Sequence, residues 1–363
     1  MGGKGISRTQ LMSLLWVGSL APAAELLPSL VLPWAGRGSW LAPLAAIPFV
    51  LLSGWLVGDL AENRGLAKGI GQAGPILGRG VLLLYIVWFV LLLALRLRLC
   101  AQRLQAMGRQ DGALWFFLLG VAAMIFWMGR GETAPFARAG QLFLVWLLAV
   151  GGGVILLSAS QAEPERILPI WGGELREALW GGLPAAGGLG WVFCGGFLLG
   201  GGDAPRRGRR HWLFWGVGGC VLLALAQGVI LGCLGSELAS SVNVPFFALA
   251  KSVGVEGAFQ RIESVIAASW VPADLTLGTM LLFGIRLAGR EVFIKGEERW
   301  LPAVGMLLSL VLAFCFFTGR SSGEWNRTWV PVGNLVFGLI VPVIMVGRKR
   351  LCKKWHGKGT SCG

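Results

Sequence analysis

The chain has 363 residues, 55% of them hydrophobic and only 14% charged, with a mean hydropathy of +0.70. A soluble domain carries roughly 25% charged residues, so this composition excludes one and indicates an integral membrane protein. The net charge of +14 does not indicate a nucleic-acid partner, because the basic residues sit at the ends of apolar segments rather than in one aromatic-interleaved patch.

A membrane span needs about 20 largely apolar residues. In chain order this predicts ten transmembrane helices: Gln10 to Val31, Trp40 to Gly58, Gly80 to Cys100, Ala113 to Met128, Gln141 to Ala159, Leu175 to Gly200, Trp212 to Gly235, Phe259 to Phe283, Leu301 to Phe317 and Trp329 to Val346. With the N-terminus inside, the inner loops and tails hold 21 of the 32 Lys and Arg residues and the outer loops 11. The positive-inside rule then puts both termini in the cytoplasm. The strongest contributors are Arg206 to Arg210 and the basic tail from 347 to 363, whereas Arg96, Arg98, Arg103 and Arg109 count the other way. Lys4, Arg8 and the apolar run to Ala23 imitate a signal peptide, but Leu26 to Trp34 extends the run past the apparent cleavage site.

Two of these segments carry glycine and proline where a helix should continue. In the first, Gly18, Ser19, Leu20, Ala21 and Pro22 lie inside the run from Trp16 to Ala24; in the sixth, Gly181, Gly182, Leu183 and Pro184 follow Trp180. In a bilayer, freed backbone groups survive only against protein, water or a ligand, so such interruptions mark candidate sites. Five segments precede the polar stretch from Gln161 to Glu177 and five follow it. The chain thus reads as a single polytopic membrane domain, 1–363, with a first repeat at 10–159 and a second at 175–346. An odd number of spans per half gives the halves opposite orientation. This predicts an all-α, LeuT-like fold, a 5+5 inverted repeat with helices 1 and 6 broken and a site near the midplane.

At the first interruption Pro22 would open a half-helix whose free N–H groups favour an anion such as a carboxylate. At the second, Gly181, Gly182 and Leu183 would offer carbonyls to an ammonium. Together they suit a zwitterionic amino acid; the alternative is a pair of proline kinks relieved by small residues. Glu25 reads as a cap for the half-helix or as part of the site. Asp274, two residues after Pro272 and at membrane depth, reads as lining a ligand or cation path, or as a neutral acid bonded to freed backbone. Tyr85, with Trp88 and Phe89 a turn on, walls a pocket or packs a core. Arg96 and Arg98 are expected to snorkel to the interface. Gly151 to Gly153 reads as a close helix contact, and Asn326 with Thr328 matches a glycosylation acceptor. Cys100, Cys194, Cys220, Cys233 and Cys315 have no metal-ligand spacing and read as packing residues. His211 and His356 leave little material for a histidine-based catalytic or metal centre, and no cofactor or enzyme activity is expected.

The stretch Gly235 and Glu237, then Val244, Pro245 and Phe246, then Phe259, Arg261, Glu263 and Trp270 resembles the B subunits of spore germinant receptors, the GerAB family of the amino-acid permease superfamily. Ser7 with Gln10, Arg96, Gly131 with Glu132, Arg138, and Pro169 support the likeness, which spans nearly the whole chain. The chain departs from the family pattern after Arg96, where the usual acidic residue and threonine-proline are absent, and at Gly200 to Asp203. The resemblance implies a subunit of the inner spore membrane that binds a small germinant, such as an amino acid, and works with a larger A subunit and a lipoprotein C subunit. A working amino-acid permease is the alternative, with Ser19 and Thr276 as the hydroxyls a sodium site would use.

Overall fold

The computed structural model describes residues 6–61, 65–107, 113–168, 172–199, 209–242, 244–252, 262–293 and 300–356, and every regular element among them is helical. Helix α1 (Arg8–Ala35) starts on a capping box: the Ser7 hydroxyl accepts from the Gln10 amide and the Gln10 side chain accepts from the Ser7 amide. A 3-10 turn at Gly36–Leu41 separates it from α2 (Ala42–Ala45) and α3 (Ile47–Ala61). Then come α4 (Leu66–Gly71), α5 (Pro75–Met107), α6 (Leu114–Arg130) and α7 (Thr133–Ala159). The sixth segment is divided into α8 (Gly172–Trp180), α9 (Gly182–Gly188) and α10 (Val192–Leu198). The chain continues through α11 (Arg209–Ser241), α12 (Pro245–Ser252), α13 (Ile262–Val292), α14 (Leu301–Cys315) and α15 (Arg320–Leu335), and a π-helical turn at Val336–Ile340 leads into α16 (Val341–His356).

Seven described stretches are long and apolar enough to cross a membrane. The first, Arg8–Ala61, holds the first two expected segments on either side of the Gly36–Leu41 turn, and the shorter apolar helices Leu114–Arg130 and Leu301–Cys315 supply the fourth and ninth. All ten expected segments therefore have a helical counterpart. The sixth segment and α13 are the most buried stretches and α7 the least. Helices α5 and α13 pack along each other more extensively than any other pair, and α1 crosses both α11 and α13. The candidate site described below lies in this α1, α5, α13 core.

Three local expectations change. Helix α1 is continuous through Gly18–Pro22, with Pro22, Pro28 and Pro33 inside it. A proline removes one backbone hydrogen bond, and a membrane helix absorbs that loss when neighbouring groups take up the slack. The sixth segment is interrupted, but its larger break falls at Leu189–Trp191; at Gly181 the backbone stays helical, and the Gly181 and Ala185 amides still donate to Glu177 and Gly181. Gly151, Gly152 and Gly153 make no close helix contact, since a Cβ on any of them would meet nothing within 4 Å.

Candidate functional site

The first-segment residues lie in the buried middle of α1. Gly18 packs on α13, where a Cβ would sit 3.4 Å from the Met280 Sδ. The Ser19 hydroxyl donates to the Leu15 carbonyl at 2.5 Å. The Ala21 carbonyl accepts the Trp270 indole N–H at 3.1 Å, and Trp270 is itself packed between Phe246 and Phe247 with ring centroids 5.2 and 5.1 Å away. This explains much of the series that carries the family likeness. Gly235 adopts φ 74°, ψ 164°, a conformation essentially reserved for glycine, and bends α11 so that Pro245 can begin α12 and deliver Phe246 and Phe247 to Trp270. Phe259 and Arg261 lie outside the described residues, as do Pro169 and Gly200 to Asp203.

The sixth-segment residues are placed differently. A Cβ on Gly182 would collide with the Ala45 backbone, and one on Gly181 with Val31. Leu183 is exposed on the outer surface and Pro184 half-buried. Gly181 to Pro184 thus pack beside α2 and the distal part of α1, away from Gly18 to Pro22. What packs on α1 near the first-segment residues is α10, where Gly195 lies against Leu15. At that break the Trp191 indole N–H donates to the Gly188 carbonyl and the Asn334 amide to the Gly187 carbonyl, each at 3.0 Å. The adjoining cavity, between α3, α9 and α15, holds about 10 Å³, room for one water at most.

Tyr85 is fully buried on α5 among Phe89, Phe193, Phe197 and Phe337, and its hydroxyl donates to the Phe337 carbonyl at 2.6 Å. Ser53 donates to the next carbonyl, that of Gly338, also at 2.6 Å. Both carbonyls belong to the π-helical turn, whose widened hydrogen-bond ladder frees them for side-chain donors.

The charged residues form the centre of the site. Arg103, near the end of α5, donates from Nη2 to Glu25 on α1 at 2.6 Å and from Nη1 to Asp274 on α13. Asp274 is therefore an ion-pair partner rather than a group bonded to freed backbone, and Glu25, well inside α1, caps nothing. Arg96, two turns before Arg103 on the same face of α5, does not snorkel: it is 1% exposed, stacks over the Trp191 ring at 5.2 Å and donates from Nη2 to the Asn326 Oδ1 at 3.4 Å. Asn326 is buried in α15, so it is no glycosylation acceptor in this fold. Arg103 and Asn326 are the site residues that sequence reasoning passed over. The spacing of Arg96 and Arg103, seven residues apart in an apolar helix, is the signal that could have found Arg103.

Beside this ion cluster, reaching it at Glu25, opens a vestibule of about 730 Å³. Its walls come from Glu25, Leu26 and Ser29 of α1, from Leu99 and Gln102 of α5, from Val244, and from the first turns of α15, including Glu324, Asn326 and Arg327. Ser322 donates to the Gln102 Oε1 at 3.3 Å and so ties α15 to α5. The vestibule presents both signs of charge and several neutral polar groups, and Glu25 belongs to it and to the ion cluster at once. No group of His, Cys, Asp and Glu residues that could hold a metal occurs among the described residues.

This architecture is the LeuT fold. The chain superposes on the crystal structure of MhsT, which was solved in complex with L-phenylalanine, with a TM-score of 0.59 over 96% of this chain and 99% of that one, at 12% identity. The family model described as "Spore germination protein" matches residues 5–320, and the chain belongs to that family of permease-like spore germination proteins. A curated relative, "Putative spore germination protein YfkT" of Bacillus subtilis (strain 168), is 24% identical over 343 residues, covering 90% of this chain and 91% of the relative.

Proposed function

We propose that this protein is a germinant-receptor subunit, not an enzyme: it binds a small germinant, an amino acid by the chemistry of its vestibule, in a permease-like membrane site, and signals germination through partner subunits. The observation that carries this reading is the vestibule that opens on Glu25, which is itself paired with Arg103 and through it with Asp274. A polar cavity with groups of both signs is suited to a zwitterion, and it ends on the bonds that join α1, α5 and α13. A ligand that competes with Arg103 for Glu25 acts on the ion bonds between the three helices, which supplies the differential binding that any conformational signal needs. The ligand's route leads from the vestibule toward Gly18 to Pro22 and the Leu189–Trp191 break.

The partners proposed are the larger A subunit and the lipoprotein C subunit, in the inner membrane of the spore, with both termini in the cytoplasm. The described loops are short and offer no effector domain, so occupancy is read out by another protein. The second reading, a secondary amino-acid permease, is favoured by the fold shared with MhsT. One pair of measurements separates them: uptake of labelled amino acids into vesicles carrying this chain alone, and the nutrient response of spores lacking either partner gene. The receptor reading expects no uptake and a lost response; uptake by the chain alone, with an intact response in the deletions, establishes the permease.

A further inference from the structure

Arg96 is chemically underused in its surroundings. It is buried at membrane depth, where an arginine is costly and is kept only against a partner. Arg103 holds one oxygen of each carboxylate of the ion cluster, the Asp274 Oδ1 makes no hydrogen bond to Arg96, and the Arg96 Nε and Nη1 donors have no hydrogen-bond partner among the described residues. Its one hydrogen bond, to the Asn326 Oδ1, is long at 3.4 Å against the usual mode near 2.9 Å. Asn326 lines the vestibule, so a neutral amide oxygen stands between the cavity and a buried guanidinium. A carboxylate binds a guanidinium through shorter, charge-assisted bonds and outcompetes an amide for the same donors.

Resting on the reading that the protein binds a small nutrient, we propose that Arg96 is the carboxylate-recognition residue of the vestibule. The ligand's carboxylate displaces the Asn326 amide and takes the Arg96 N–H groups, and the ligand's ammonium is held at Glu25. The ligand class is thereby an amino acid with its carboxylate free. The same event is felt at the break in the sixth segment, because Arg96 stacks on Trp191, whose indole N–H holds the Gly188 carbonyl.

The test compares L-amino acids with their carboxamides, by equilibrium binding to the full chain in nanodiscs with its partner subunits. Wild-type protein should bind an acid more tightly than its amide by about tenfold to a hundredfold, the worth of a charge-assisted hydrogen bond. Arg96→Gln should bring the two to parity, and Arg96→Lys should retain part of the preference. Asn326→Ser, which removes the competing amide, should tighten the acid several-fold and leave the amide unchanged, a gain that a merely structural role does not produce. If Arg96→Gln fails to fold, the wild-type preference and Asn326→Ser decide. Equal wild-type binding of acid and amide, an undiminished preference in Arg96→Gln, or unchanged or weaker acid binding in Asn326→Ser overturns the assignment of Arg96 and leaves the receptor reading standing. Absence of binding by every acid and amide overturns both.

Discussion

The Trp270 indole N–H on α13 donates to the Ala21 carbonyl on α1 at 3.1 Å, one residue before Pro22. The bond joins the family's terminal tryptophan to the proline-bearing stretch of the first helix. Trp270→Phe removes the donor and keeps a ring against Phe246 and Phe247, so it should lower stability by about 1 kcal/mol, the net worth of a neutral hydrogen bond. Trp270→Ala loses the packing as well and should cost about 3–5 kcal/mol. Thermal unfolding of the purified protein in one detergent checks both; wild-type stability in Trp270→Phe would show that the bond contributes nothing.

Most of the fold was legible in the sequence because the bilayer imposes one rule on length and polarity. A run as apolar as Gly80 to Cys100 has few structures open to it, and all ten segments were found on that basis. Backbone interruptions were less legible. Glycine and proline show where a helix can break, but Trp270 on a distant helix bonds the carbonyl beside Pro22, and Asn334 and Trp191 hold the carbonyls at the real break in the sixth segment. The ion cluster was half legible: Asp274 stood out by its depth, whereas Glu25 and Arg103 acquire their role only when α1 and α5 both pack on α13. Arg96 was misjudged because snorkelling depends on where a helix end lies in the assembly, which local sequence does not encode.

Gly235 offers a test confined to the backbone. Its φ of 74° and ψ of 164° strain any residue with a Cβ, so Gly235→Ala should cost about 1–3 kcal/mol and reduce the amount of folded protein in membranes. Gly228, in the same helix with nothing within 4 Å of an added Cβ, is the control. Gly228→Ala should be neutral or slightly stabilising. Equal behaviour of the two variants would remove the conformational explanation of the glycine at 235.

The Glu25, Arg103, Asp274 cluster should behave as one unit. Arg103→Met leaves the buried Asp274 and the partly buried Glu25 without their shared cation and should cost about 3–5 kcal/mol, as removal of one partner from a buried pair does. Adding Glu25→Gln and Asp274→Asn to that variant removes the stranded charges and should recover most of the loss. Asp274→Asn alone, with Arg103 still held by Glu25, should be milder than Arg103→Met. The three variants and wild type are compared by thermal unfolding, and a triple variant no more stable than Arg103→Met would show that the groups are not coupled.

The side on which the vestibule opens follows from charge bias and geometry together. By the 21 to 11 distribution of basic residues the N-terminus is expected inside, which would send the end of α1 and the Gly36–Leu41 turn outside. Glu25 and Ser29 lie in the half of α1 nearer that turn, and they share the vestibule with the first turns of α15, so the vestibule should face outward in a cell membrane and receive nutrient from that side. Single cysteines placed at the exposed positions Arg37, Glu324 and Lys349, in a background with the native cysteines replaced, report this directly. A membrane-impermeant maleimide added to intact cells should label Arg37→Cys and Glu324→Cys, and should reach Lys349→Cys only after the membrane is opened. Labelling of Lys349→Cys in intact cells, with Glu324→Cys protected, would invert the topology and turn the vestibule toward the cytoplasm, where it could not meet a nutrient arriving from outside.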